Sequence, residues 1–193
     1  RADGRAATRN YIGVLSSVNC SATVVKAIED HFRLHGLGDY PNVDGVVALP
    51  QSFGCAIGSK SESMEVMRRT MAGYATHVNF AGVIIIGLGC ESSQIKDMMN
   101  AHGLSDGPML HSFTIQEIGG TRHAIARGIE LINEMLPQAN QVQREPIPAA
   151  EIILALECGG SDSYSGISAN PALGYAVDKL VQQGGTAILS ETS

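Results

Sequence analysis

The run Gly82–Leu88, GVIIIGL, carries no charged or hydrogen-bonding side chain over seven positions. A strand with one face in water alternates apolar and polar residues, whereas an unbroken apolar run suits a strand covered on both faces. Five further short runs read as strands: Tyr11–Ser17, Gly45–Leu49, Pro108–Ser112, Glu151–Leu156 and Thr186–Ser190. Helical periods lie between them. Val24, Val25, Ile28 and Phe32 recur at spacings of three and four, as do Met64, Met67, Met71 and Tyr74, and then Ile125, Ile129, Ile132 and Leu136. Repeated βα units joined by right-handed crossovers predict an α/β fold: an open, mostly parallel sheet with helices on both faces.

The stretch 137–149 holds three Pro and three Gln and little apolar content, so it reads as a linker or long connection. It divides a first α/β lobe, 1–136, from the start of a second βαβ lobe, 150–193, unless the two form one continuous domain. A length of 193 residues accommodates either arrangement. The chain opens on Arg1 rather than Met and stops just after a strand-like run, so it is expected to be a segment of a longer polypeptide whose other domains are its partners. A 44% hydrophobic content excludes a disordered chain. The longest apolar run, Ala81–Cys90, falls far short of a membrane span, which needs roughly 20 residues. A net charge of −6, from 13 basic and 19 acidic residues, argues against nucleic acid as a partner. Four Cys in a chain this long do not make a disulfide scaffold, and no apolar leader is visible, so reduced thiols in the cytoplasm are the expectation.

Each of those cysteines follows a predicted strand directly: Cys20, Cys55, Cys90 and Cys158. In an open parallel sheet, ligands bind outside the carboxyl ends of the strands, where helix N-termini also present free N–H groups suited to anions. Thiolates there could hold a soft divalent metal such as iron, or one could act as a nucleophile. The competing reading is a set of small buried hydrophobes. Spacings of 35, 35 and 68 residues match no CxxC pattern, so a metal site would have to be assembled from separate loops. Gly87-Leu88-Gly89 starts like a dinucleotide fingerprint, but Ser92 stands where the third glycine belongs and no P-loop lysine exists, which leaves a nucleotide-binding module as a minor reading. The loop 157–171 packs Glu157, Cys158, Asp162 and several hydroxyls between a strand and a helix, with Asn170 expected as the helix N-cap and Pro171 at its first position.

Several blocks resemble the altronate/galactarate dehydratase family: Gly4–Val14 with Val18–Ala22, Asn79–Gly82 with Gly87–Glu91, Ile115–Thr121, and above all Glu157–Asp162 through Asn170–Gly174 to Gly184–Thr192. They run in family order along nearly the whole chain. The resemblance implies a hydro-lyase that dehydrates an aldonic or aldaric acid such as D-altronate or galactarate to a keto-deoxy acid, with a divalent metal, usually Fe2+ and alternatively Mn2+. It also implies a small N-terminal SAF-type domain and a further C-terminal region outside this segment, and a homo-oligomer. A related branch eliminates sulfite from sulfolactate. One departure stands out: where relatives often read Thr-His-Gly-x-Gly-Cys-Gly, this chain reads Pro50-Gln51-Ser52-Phe53-Gly54-Cys55-Ala56, with Gln51 in place of the histidine.

Dehydration of such an acid abstracts a proton beside a carboxylate and expels a β-hydroxyl, so it needs a base, a cationic group for the enediolate and an acid for the leaving group. The candidate metal ligands are Cys20, Cys55 and Cys158, ahead of Cys90. Glu157 and Asp162, with Glu91 behind them, are the candidate acid/base groups, and Asn19, Ser161, Ser165 and Arg9 the candidate substrate contacts. The alternative is a structural or oligomerisation lobe, inactive in isolation.

Overall fold

The computed structural model describes residues 1, 3–55, 57–160 and 162–190. The chain divides into two compact units, one of residue 1 with 9–143 and one of 2–8 with 144–193. The first contains β1 (Tyr11–Ser16), α1 (Ala22–His35), β2 (Gly45–Leu49), α2 (Glu62–Ala75), β3 (Phe80–Gly87), α3 (Ile95–Ala101), β4 (Leu110–Thr114) and α4 (Thr121–Ala139). Its four strands are all parallel in the order β2-β1-β3-β4. The expected α/β architecture is therefore present.

Alternation along the central strands explains the apolar runs Ile12–Leu15 and Val83–Ile86. Ile12 and Val14 of β1, with Ile84 and Ile86 of β3, join α1 and α4 in one core through Val24, Ile28, Leu131, Ile132 and Met135. Leu15, Val83 and Ile85 point the other way and pack on Met71 of α2 and on Ile95, Met98 and Met99 of α3. A buried polar knot fixes the amino edge of the sheet. The Asn10 side chain donates to the carbonyls of Asn42 (2.8 Å) and Ala139 (2.9 Å) and accepts from Arg1 (2.7 Å), tying the entrances of β1 and β2 to the end of α4.

Several elements differ from expectation for identifiable reasons. The fourth strand starts at Leu110 rather than Pro108, because Gly107 and Leu110 pair with each other through their backbones and make 107–110 a turn. Helix α4 continues to Ala139 through Pro137, which is exposed, because the buried stripe Leu131, Ile132, Met135, Leu136 and Ala139 carries on past it.

The second unit comprises β5 (Ile153–Leu156), α5 (Ser163–Ile167), α6 (Ala169–Gln182) and β6 (Thr186–Leu189), with β5 and β6 parallel. Asn170 is not the helix N-cap. The Asp162 carboxylate accepts from the Ser165 N–H at 2.8 Å and starts the short α5, and α6 follows from Ala169. Asn170 and Pro171 thus fall inside the first turn of α6, where a missing proline N–H costs no helical bond. The apolar strands of this unit are not covered on both faces as their composition predicts: Ile153 is 68% and Leu189 82% exposed. Two strands and one long helix do not supply the layers that a parallel sheet needs.

Candidate functional site

In the order β2-β1-β3-β4 the chain leaves β1 on one side for β2 and returns to its other side for β3. The crevice at the carboxyl ends of β1 and β3 is the topological switch point, the default ligand site of an open parallel sheet. Three cysteine-bearing loops meet there. Cys20 lies on a 3₁₀ turn, Asn19–Ser21, between β1 and α1; Cys55 lies between β2 and α2; Cys90 lies between β3 and α3. All three thiols are free and exposed, so the small-hydrophobe reading does not describe them.

Hydrogen bonds lace these loops together. The Asn19 N–H donates to the Phe53 carbonyl at 2.9 Å, and the Ser92 hydroxyl donates to the Cys55 carbonyl at 3.0 Å. Beneath them lies Glu91, only 3% exposed. Its Oε1 accepts from the Ser17 hydroxyl at 2.9 Å and its Oε2 from the Gly89 N–H at 2.6 Å, so one carboxylate clamps the end of β1 to the loop after β3. Gly87 makes room for this clamp. A Cβ there would run into Glu91 Oε1 and come within 2.9 Å of both Ile95 and Ser17 Oγ. Gly89, at φ +124°, takes a backbone conformation that side-chain-bearing residues rarely adopt.

The Cys20 and Cys55 sulfurs are 4.0 Å apart. That contact, then partial desolvation, then the charges of Cys20, Cys90 and Glu91 raise the Cys55 thiol above its ordinary range. Since the thiolate is the reactive species, alkylation of Cys55 by iodoacetamide is expected to reach half its limiting rate at a higher pH in the native protein than in the Cys20→Ser variant. Superimposable pH–rate profiles in the two proteins would contradict this electrostatic picture. Near the carboxyl ends of β1 and β2, Ser16, Leu49, Pro50, Gln51, Met71 and Tyr74 line a recess of about 160 Å³, and the Ser16 hydroxyl accepts the Gln51 N–H at 2.5 Å.

The residue types and spacing partly fit a metal. Two thiolates bound tetrahedrally at about 2.3 Å sit about 3.8 Å apart, close to the separation of Cys20 and Cys55. Among the described residues, however, no group of three or more His, Cys, Asp or Glu side chains is gathered for an ion. The pair therefore supplies part of a ligand set and does not complete one.

Sequence-predicted site residues fall into three places. Asn19, Cys20, Cys55 and Glu91 come together at the switch point. Arg9 lies before β1, at the opposite edge of the sheet, roughly 20 Å away by the rise of a six-residue strand, and its backbone is tied to Asn79 and Arg1. Glu157, Cys158, Asp162 and Ser165 belong to the second unit. There Glu157 is exposed and Cys158 half-buried after β5, Asp162 caps α5, and the Ser165 hydroxyl donates to the Asp162 carbonyl at 2.8 Å. Ser161 lies outside the described residues. Ser17 and Ser92 escaped the sequence reading. The serine pair Ser16-Ser17 closing the apolar run of the predicted first strand was the available signal for Ser17.

Among the described residues no helix is long and apolar enough to cross a membrane. Residues 1–140 match the family model described as "D-galactarate dehydratase/Altronate hydrolase, second domain", and residues 149–193 match "D-galactarate/Altronate dehydratase, C-terminal". Similar proteins include altronate dehydratase of Bacillus subtilis, 32% identical over 99% of this chain and 37% of that protein. Galactarate dehydratase (L-threo-forming) of Escherichia coli is 36% identical over 100% of this chain and 38% of its own length. The (2R)-sulfolactate sulfo-lyase subunit beta of Chromohalobacter salexigens is 31% identical over 100% and 45%. The chain thus spans less than half the length of each of these relatives. With both family models matching in order and the first covering the whole sheet that carries the thiols, the chain belongs to the galactarate dehydratase/altronate hydrolase family.

Proposed function

We propose that this chain is part of a hydro-lyase that removes water from an altronate- or galactarate-like sugar acid to give a keto-deoxy acid. The observation that carries the reading is the placement of Cys20 and Cys55, 4.0 Å apart, at the switch point of a family domain. Relatives named altronate and galactarate dehydratase support the substrate class. Cys20 and Cys55 are the proposed thiolate ligands of an Fe2+ ion, with Mn2+ the alternative. Bound there, such an ion supplies Lewis acidity toward the substrate's carboxylate or leaving hydroxyl.

The roles of the chain's own residues follow from what each side chain is already doing. Both Glu91 oxygens accept protein hydrogen bonds, so Glu91 holds the thiol loops in position rather than shuttling protons. Asp162 is similarly committed to capping α5. Exposed Glu157 is then the carboxylate proposed for acid–base work. Asn19, exposed beside Cys20, is a proposed hydrogen-bond partner for substrate hydroxyls. Sulfite as leaving group is the second reading, favoured by the similarity to the sulfo-lyase subunit. Both readings share one elimination, in which a carbanion beside a carboxylate expels its β-substituent.

The test is an anaerobic titration of the protein with Co2+, as a spectroscopic stand-in for Fe2+, while thiol alkylation is followed residue by residue. Saturable binding with a thiolate-to-metal absorption band and protection of Cys20 and Cys55 is expected. Undiminished alkylation of both at saturating metal would remove the thiols from the site and favour the structural-lobe alternative. The intact protein, offered sugar acids and sulfolactate, then separates the leaving groups by release of keto-deoxy acid or of sulfite.

A further inference from the structure

We propose that Cys20 and Cys55 form a peroxide-responsive thiol–disulfide pair, whose oxidised form withdraws both sulfurs from any other ligand. Cysteine is among the residues most often buried, yet these two are exposed and face each other at 4.0 Å across separate loops. Packing gives no reason for that arrangement. The bond from the Asn19 N–H to the Phe53 carbonyl holds the two backbones together one residue from Cys20 and two from Cys55. Closing the gap to a disulfide, about 2.05 Å, takes about 2 Å of movement. Among its described residues, the Cys55 segment 50–61 has neither helix nor strand to resist that shift. Cys90 is near enough for its charge to act on Cys55, but the hydrogen-bond contact is between Cys55 and Cys20.

The chemistry balances with hydrogen peroxide as the oxidant. The Cys20 thiolate attacks one peroxide oxygen and the O–O bond breaks. The departing hydroxide takes a proton and leaves as water, and Cys20 becomes a sulfenic acid. Cys55 sulfur then attacks the Cys20 sulfur. The S–S bond forms, the S–O bond breaks, and the second hydroxide leaves as water with the Cys55 proton. Two thiols have lost two electrons and one peroxide has become two waters. The 4.0 Å approach of the two sulfurs puts Cys55 within reach of the Cys20 sulfenic acid and makes it the resolving partner.

Disulfide formation stands independently of the metal; its consequence for metal binding rests on the function proposed above. The full chain, reduced and then exposed to stoichiometric hydrogen peroxide, is digested without reduction. Trypsin places the four cysteines on four separate peptides, with Cys20 on 10–26, Cys55 on 34–60, Cys90 on 70–96 and Cys158 on 145–179. The expected result is loss of two of the four thiols, a 10–26/34–60 linked peptide, and full return of both thiols with dithiothreitol. Cys90→Ser should leave the link intact, and Cys55→Ser should leave Cys20 as a sulfenic acid trapped by dimedone. A link through Cys90 or Cys158 instead, or Cys20 passing to sulfinic acid with no link, overturns the proposal. Co2+ titration of the reduced and oxidised forms separates the two ideas. A linked peptide from a protein that binds no Co2+ when reduced keeps the disulfide and discards the metal, and Co2+ binding without a link does the reverse.

Discussion

Gly87→Ala is expected to destabilise the first unit by about 3 kcal/mol, a Tm fall of about 6–12 °C, although it adds a single methyl group. The new Cβ would collide with Glu91 Oε1 and crowd Ser17 Oγ and Ile95. Glu91 cannot yield without giving up its bonds from Ser17 and Gly89, and at 3% exposure its carboxylate finds no water in their place. The same exchange at Gly73, inside α2 with nothing within 4 Å, is expected to stabilise by about 0.5–1 kcal/mol through helix propensity alone. Thermal or urea unfolding of the two variants therefore moves in opposite directions. Glu91→Asp retracts the carboxylate by one methylene, so it should cost less in the Gly87→Ala background than in the native one. Additive effects in that cycle would mean that the clash lies elsewhere.

The Gly87–Glu91 pair marks where the sequence stops being legible. Val83–Ile86 shows as an unbroken apolar run, and it reports directly that two helical layers cover β3. Strand order is not written that way. Whether β3 pairs with β1 or β2 depends on long-range packing, yet it is the β2-β1-β3-β4 order that turns three scattered loops into one crevice. Glu91 shows the same gap. In sequence it is a carboxylate beside a cysteine and a fair candidate for proton transfer. Only the fold brings Ser17, 74 residues away, onto its oxygen and makes it a clamp. Asp162 has a purely local role as well, the Asp-x-x-Ser spacing that caps a helix, which could have been read from the sequence. The exposed apolar strands of the second unit show the converse. Their composition states what they need, while the two strands and the helices of this unit leave it unmet.

For the metal site and hydro-lyase activity proposed above, replacing Cys20 or Cys55 with Ser is expected to weaken Co2+ binding, and to lower sugar-acid turnover by the intact protein, by more than about 100-fold. Loss of a group that merely supports a ligand already costs about 10–100-fold. Serine is nearly isosteric, but its hydroxyl does not ionise near neutral pH and offers a soft divalent ion no thiolate. Both side chains are exposed, so stability should stay within about 0.5 kcal/mol of native, which separates a lost ligand from a damaged fold. If the two sulfurs act as one unit, the double variant loses little more than either single one. Cys90→Ser serves as the internal control. It removes a nearby charge and should change affinity far less, while lowering the pH at which Cys55 ionises, because the Cys90 charge is one of the causes that raise it. Equal losses at Cys20, Cys55 and Cys90 would spread the site over all three loops. Retention of native affinity in Cys20→Ser would end the two-thiolate assignment, and the 4.0 Å pair would then be explained by its redox chemistry alone.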